Sequence, residues 1–169
     1  MTLRLRPLRA EDRAGAELAH EELRADNFEF LLQWDPRMDW GAYVGRCAAH
    51  VRGEQLPERW VPSTFLLATV GEEIVGRVSI RHNVDNEFLL NYGGHIGYCV
   101  RPAYRREGHA TEILGQALVV ARAAGVDRVL VTCDENNVAS RRVIEKRGGI
   151  LEDSRTEPGG VVRLRFWID

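Results

Sequence analysis

The residues with the most chemical content lie in one run, Gly97-Tyr98-Cys99-Val100-Arg101-Pro102-Ala103-Tyr104-Arg105-Arg106-Glu107-Gly108-His109-Ala110. A strand stops at Pro102, and a tight loop of arginine and glycine opens directly into a helix with an apolar face. The first amides of a helix have no intrahelical acceptors and carry the positive end of its dipole, so they suit an anion. A glycine there lets backbone approach a phosphate closely. The guanidinium groups of Arg105 and Arg106 match phosphate oxygens in geometry and charge. Two nucleotide loops fit poorly. Gly108-His109-Ala110 lacks the Gly-Lys-Ser/Thr ending of a Walker A loop, and only Gly108 is present of the three spaced glycines in a dinucleotide fingerprint. The plain alternative is an ordinary helix start with a solvated arginine cluster.

The elements that must hold this loop are legible around it. Leu3, Leu5 and, past Pro7, Leu8 suggest a short first strand, and about Glu11 to Ala25 reads as a helix. An aromatic-rich stretch from Phe28 to Trp60 contains a helix near Trp40 to Val51. Thr64 to Val70, the turn Gly71-Glu72-Glu73 and Ile74 to Arg81 give a hairpin signal. Gly94 to Val100 is a strand. From His109 to Ala124, Ile113, Leu114, Ala117, Leu118 and Ala121 keep helical spacing, with Gly125 as the stop. Arg128 to Cys133 is a buried-looking strand. Asn137 caps a helix that runs to Arg147 and ends at Gly148-Gly149. Strand-like runs near Ile150 and from Val161 to Ile168 flank the turn Glu157-Pro158-Gly159-Gly160. Strands followed by helices in the middle, with paired strands at both ends, give a mixed α/β sheet.

Composition narrows the class. A chain of 169 residues is the size of one ordinary domain, and no linker or repeat divides residues 1–169. The formal net charge of −2 gives no bulk attraction to nucleic acid or anionic membrane. No apolar run is long enough to span a membrane, and Met1 to Pro7 lacks the apolar core of a signal peptide. Cys47, Cys99 and Cys133 are odd in number and widely spaced, which argues against a disulfide framework and a zinc site. Reduced thiols in a cytoplasmic protein are the expectation.

Arg105, Gly108 and Ala110 resemble the Gln/Arg-x-x-Gly-x-Gly/Ala pyrophosphate motif of the GNAT superfamily, the acyl-CoA-dependent N-acyltransferases. Asn137-Val138-Ala139-Ser140 followed by Glu145-Lys146-Arg147-Gly148 resembles the family's downstream Asn-x-x-Ser…Glu-Lys-x-Gly block. The likeness is strong from about Ile74 to Gly149 and is closest to the branch with ribosomal-protein N-terminal acetyltransferases and many predicted acetyltransferases. It implies a mostly antiparallel mixed sheet with flanking helices and a central parallel pair, Gly94–Val100 beside Arg128–Cys133, that splays apart. Acetyl-CoA would be the co-substrate, with no metal. Its pantetheine arm would lie against Cys99 and Val100 and near Asn137. Its pyrophosphate would rest on Arg105, Arg106, Glu107, Gly108, His109 and Ala110. Acetyl transfer to a primary amine, on a small molecule or a peptide, would be direct; nucleic acid and membrane are not expected as partners, and a homodimer stays open.

The resemblance also directs attention to catalytic groups. Direct attack needs a neutral amine, hence a base or a water chain. Relatives often carry a glutamate at the position of His95, whose imidazole titrates in the right range. His82, Glu87 and Asp134 are further candidates, and the plain role of His95 is a backbone hydrogen bond. Many relatives have a tyrosine where this chain has Ile144, so the thiolate's helper falls to Ser140, with Tyr98 and Tyr104 as stand-ins. Arg106 stands where glycine is usual and Glu107 where a basic residue is common. Cys133 lacks the Cys-His-Asn pattern of a nucleophile. Phe28, Phe30, Trp34, Trp40, Tyr43 and Trp60 either line an acceptor cleft or pack the core. Glu21, Glu22, Asp26, Glu29 and Asp35 either attract a cationic amine or form a solvated face.

Overall fold

The computed structural model describes residues 2–169. Its strands are β1 (Leu3–Arg6), β2 (Ser63–Val70), β3 (Glu73–Arg81), β4 (Ile96–Val100), β5 (Val129–Asp134), β6 (Ile150–Thr156) and β7 (Val162–Ile168). Its helices are α1 (Arg13–Arg24), α2 (Trp40–His50), α3 (His109–Ala123) and α4 (Val138–Lys146). The strands form one seven-stranded sheet in the order β1-β2-β3-β4-β5-β7-β6. All neighbours run antiparallel except β4 and β5, as the family resemblance implies.

Strand alternation divides the side chains between two faces. On one face Val78, Ile80, Ile96, Val131 and Phe166 meet the buried stripe of α3, formed by Ile113, Leu114, Ala117, Leu118 and Ala121. On the other, Leu67 packs with Leu23 of α1, Trp40 and Tyr43 of α2, and Phe30, Leu31 and Trp34 between them. The helix expected from Glu11 begins at Arg13. Asp12 instead accepts from the Arg9 amide and binds Arg6 at 2.7 Å, ending a short 3₁₀ turn. A π-helical turn at Leu89–Gly93, absent from the sequence reading, packs over β5 and β7.

Guanidinium groups tie these layers together. Buried Arg101 grips Glu22 of α1 through two nitrogens at 2.9 and 2.8 Å and donates to the Ile74 carbonyl at 2.7 Å. Buried Arg165 joins β7 to Glu152 and Asp153 of β6, each at 2.7 Å. Arg77 on β3 has no carboxylate partner. It donates to the carbonyls of Glu29, Phe30 and Gly97 at 2.6, 3.0 and 3.2 Å, and its guanidinium lies over the Phe28 ring.

The β4–β5 pair decides the rest. β3 pairs with β4 along its whole length, from Ile80↔Ile96 to Gly76↔Val100. At Gly76 no side chain fits, because a Cβ there would collide with the Cys99 carbonyl. On its other edge β4 meets β5 only at Ile96↔Val131 and then departs.

His95 stands at the apex of that departure. Its amide donates to the Leu130 carbonyl at 2.7 Å, and its carbonyl accepts from the Arg81 amide at 2.7 Å. Its Nδ1 accepts from the Leu130 amide at 2.9 Å. The expectation of His95 as general base fails on this geometry. With Nδ1 occupied as acceptor, the neutral ring carries its proton on Nε2 and has no lone pair left for an amine. Burial, then the charge of Arg81, pushes its pKa down to about 4.

That depressed value has a stability consequence. The unfolded ring has a pKa near ~6.5, so the unfolded chain binds the proton first as pH falls. The contribution of neutral His95 is therefore complete above about pH 6.5 and is lost as pH drops toward 4, to the extent of roughly 3 kcal/mol. His95→Asn keeps an acceptor for the Leu130 amide but cannot titrate. Urea denaturation at pH 7 and at pH 4.5 should show a smaller acid-induced loss in this variant than in the native protein. Equal losses would show that His95 is not the group responsible.

Candidate active site

Where β4 leaves β5, the gap widens into a cleft of about 660 Å³. Four pieces of chain wall it: Tyr98, Cys99 and Val100 of β4; the loop and first turn of α3; the first turn of α4; and Leu23, Asp26 and Phe28 at the end of α1. Strand direction, two helix N-termini and the α1–α2 connection therefore converge on one space.

The loop entering α3 is shaped for an anion. Gly108 is the N-cap of α3 with φ 84°, and no side chain caps the helix, so its first amides lack a protein partner. Arg106 is also left-handed, with φ 67°, which explains why relatives favour glycine there. Arg105 donates to the Val100 carbonyl at 3.1 Å and meets Asp26 at 2.6 Å across the cleft. Cys99, Val100, Arg105, Arg106, Gly108, His109 and Ala110 all line the cleft. Glu107 does not: it is exposed, with its carboxylate 3.2 Å from His109 Nε2. The left-handed turn at Arg106 and Gly108 carries the Glu107 side chain out to solvent, so only its backbone amide remains with the loop.

The opposite wall is the start of α4. Asn137 Oδ1 accepts from the Ser140 amide at 3.0 Å, so the cap also fixes Ser140 at the cleft. Ser140 Oγ lies 2.9 Å from the Tyr98 hydroxyl, and both residues line the cleft. Burial pushes the Tyr98 pKa up to about 12, which keeps its proton in place. Ile144, where relatives carry a tyrosine, is fully buried and packed against Gly149. Tyr104 also lines the cleft, but its hydroxyl donates to Glu73 at 3.0 Å.

The two open questions about the segment before β2 are answered by packing. Phe30, Trp34, Trp40 and Tyr43 are core, Trp60 packs edge-on against His50, and Phe28 alone reaches the cleft. Four of the five acidic residues are paired, Glu21 with Arg24, Glu22 with Arg101, Asp26 with Arg105 and Asp35 with Arg37, while exposed Glu29 accepts from the Gln33 amide. They do not form a free cation site. Asp134 is bound to Arg163, His82 contacts the Thr64 hydroxyl at 2.8 Å, and Glu87 is exposed. Buried Cys133 sits in the α3-side core with its pKa raised to about 11 by burial. Among the described residues no His, Cys, Asp and Glu cluster could hold a metal ion, and no helix is long and apolar enough to cross a membrane.

Sequence reasoning missed the arginines of β3. Arg77, Ser79 and Arg81 alternate with Val78 and Ile80, and that period-two polarity was the available signal.

Comparison with known proteins agrees with this geometry. A family model described as "Acetyltransferase (GNAT) domain" matches residues 2–150. No curated protein matches the chain by sequence. Among solved structures, Mycobacterium smegmatis RimJ in complex with CoA-disulfide is similar at TM-score 0.71 and 22% identity, covering 98% of this chain and 81% of that one. The ribosomal-protein-S5-alanine acetyltransferase of Vibrio fischeri is similar at TM-score 0.69 and 15% identity, covering 99% and 93%. The yncA protein of Salmonella typhimurium, solved with its cofactor acetyl-CoA, is similar at TM-score 0.66 and 14% identity, covering 100% and 94%. With the splayed strand pair, the uncapped helix over the cleft and a family match across most of its length, the chain belongs to the GNAT acetyltransferases.

Proposed function

We propose that residues 1–169 form a single acetyltransferase domain that moves an acetyl group from acetyl-CoA to a primary amine by direct attack. The observation that carries this reading is the continuity of the cleft from the uncapped start of α3 to the Tyr98–Ser140 pair. The amides from Arg106 to Ala110 hold the pyrophosphate, and the pantetheine arm runs along the unpaired edge of β4 past Cys99, with Asn137 opposite. Arg105 then exchanges Asp26 for phosphate. Cys99 is half-buried with its thiol pKa raised by burial, so it serves as wall and not as nucleophile.

In the reaction the amine nitrogen bonds to the thioester carbonyl carbon, and collapse of the tetrahedral adduct breaks the carbon–sulfur bond. Ser140 donates a hydrogen bond to the departing thiolate while Tyr98 donates to Ser140, strengthening it as a donor. With His95 withdrawn, the amine loses its proton to water at the open mouth of the cleft. An α-amino group with pKa about 7.7–8.0 leaves roughly a tenth or more neutral at pH 7, whereas a lysine amine near ~10.4 leaves less than a thousandth. That difference favours an α-amino acceptor, on a peptide or a small molecule.

Gly108→Asp places a side chain and a negative charge at the pyrophosphate loop. Calorimetry should show CoA affinity falling about tenfold or more, equivalent to roughly 1.4 kcal/mol. Unchanged affinity in the folded variant would exclude this loop as the donor site.

The leaving-group pair has its own signature. Ser140→Ala should lower kcat by about tenfold to a hundredfold with little change in the KM for acetyl-CoA, as expected for a hydrogen bond formed to developing charge. Tyr98→Phe should give a smaller loss in the same direction. If both variants keep native kcat under conditions where chemistry limits turnover, the thiolate finds its donor elsewhere.

A further inference from the structure

The face of the sheet opposite α3 carries a cation that nothing in the protein neutralises. Arg77, Ser79 and Arg81 follow one another on this side of β3, opposite Cys99, Gly97 and the start of β4. Arg77 is committed to three carbonyls, as described above. Arg81 is different. Among the arginines of the described residues that are buried or half-buried, Arg81 alone has neither a hydrogen-bond acceptor nor an ion-pair partner, and Arg46 has only the Met38 sulfur at 3.9 Å. Its guanidinium lies against Gly97, with Nη1 3.3 Å from where a Cβ would stand. Gly97 is the first residue of β4 beyond the last pairing with β5, so Arg81 sits at the apex of the opening, next to the end where the reacting thioester would lie.

The electrostatics of this spot are one-sided. Arg81's pKa is lowered to about 10, first by burial and then by the charge of Arg77. No carboxylate pairs with it. His95 beside it is held neutral, with Asp85 acting on it through space, and Arg77 bonds only to backbone oxygens while the Glu29 carboxylate acts on it through space. A half-buried guanidinium without a partner costs desolvation energy that most other partly buried arginines here recover through bonds to oxygen. Two neighbouring guanidinium groups raise the local concentration of anions and repel polycations.

The geometry points to Arg81, backed by Arg77, as the site that binds a carboxylate carried by the acceptor close to its amine. This inference deepens the proposed N-acetyltransferase reading and rests on it. It disfavours polyamines and aminoglycosides, whose extra positive charges would face two arginines. It selects acceptors in which a carboxylate lies near the reacting nitrogen. Such a carboxylate has two sources: the α-carboxylate of a free amino acid, or the acidic side chain of a peptide's first residues.

Product binding tests this without interference from differences in amine pKa. The CoA-saturated protein is titrated by calorimetry with N-acetylglycine against N-acetylglycinamide, and with N-acetyl-Asp-Ala-amide against N-acetyl-Asn-Ala-amide. The carboxylate member of at least one pair should bind at least about tenfold more tightly, as expected for a charge-assisted bond. Preference in the first pair identifies an amino-acid acceptor, and preference in the second an acidic peptide. Arg81→Gln should erase the preference while CoA affinity stays native. Because Arg81 makes no bond within the protein, this variant should melt no lower than the native chain. Arg81→Lys, which keeps the charge but loses the planar fork, should retain part of the preference. Equal binding in both pairs, or a preference that survives Arg81→Gln, overturns the inference while leaving acetyl transfer intact. Failure of the native protein to bind CoA would sink the acetyltransferase reading and this one together.

Discussion

Everything at the site follows from one discontinuity in backbone pairing. A parallel pair of strands that stayed together would bury the edges of β4 and β5 and leave no groove. Here the ladder stops after Ile96↔Val131, and each strand goes on with only its outer neighbour, β3 for β4 and β7 for β5. Unpaired backbone groups beyond that point need other partners, since leaving them buried and unsatisfied costs about as much as a lost hydrogen bond. The cleft supplies access to water, and to a ligand that can replace it. His95 makes the break abrupt by clamping both polar backbone groups of Leu130 immediately before it. The same imidazole that a sequence comparison puts forward as a base is therefore spent on defining where the opening begins.

Around that opening the molecule is organised by side. The α3 face is almost wholly apolar, and its contribution is to carry a helix N-terminus to the mouth of the cleft. The α1–α2 face combines an aromatic cluster with arginines, and it brings Asp26 and Phe28 to the opposite rim. The cleft thus draws its walls from both layers, with the gap between β4 and β5 as the passage between them.

The elements around the donor site were legible because each carries a local signal. The apolar stripe of α3, the Asn137 cap and the Pro102 stop act within a few residues of themselves, and their boundaries fell within a residue or two. The hairpin of β2 and β3 was equally clear. What local signals could not convey was which partner each polar group would meet. The acidic run before β2 reads equally as a cation site or a solvated face, and in the fold four of its five members face arginines, including Arg101 and Arg105, which lie 79 residues from their partners in sequence. The Tyr98–Ser140 contact spans 42 residues and joins two segments whose individual roles read as packing and capping. Arg81 was hidden in the opposite way, because its significance is the lack of any partner, which only a completed fold displays.

The preference for guanidinium throughout these ties has a chemical meaning for a protein that handles an activated thioester. Arg101, Arg165 and Arg77 hold the layers, Arg105 and Arg106 border the donor loop, and Lys146 is the chain's single lysine. A lysine in any of those places would be a primary amine within reach of the reagent, and its small neutral fraction could be acylated, removing the charge that the tie depends on. Guanidinium stays protonated at all relevant pH values and offers no free lone pair. The framework is thereby built almost entirely from cations that cannot become substrates of their own active site.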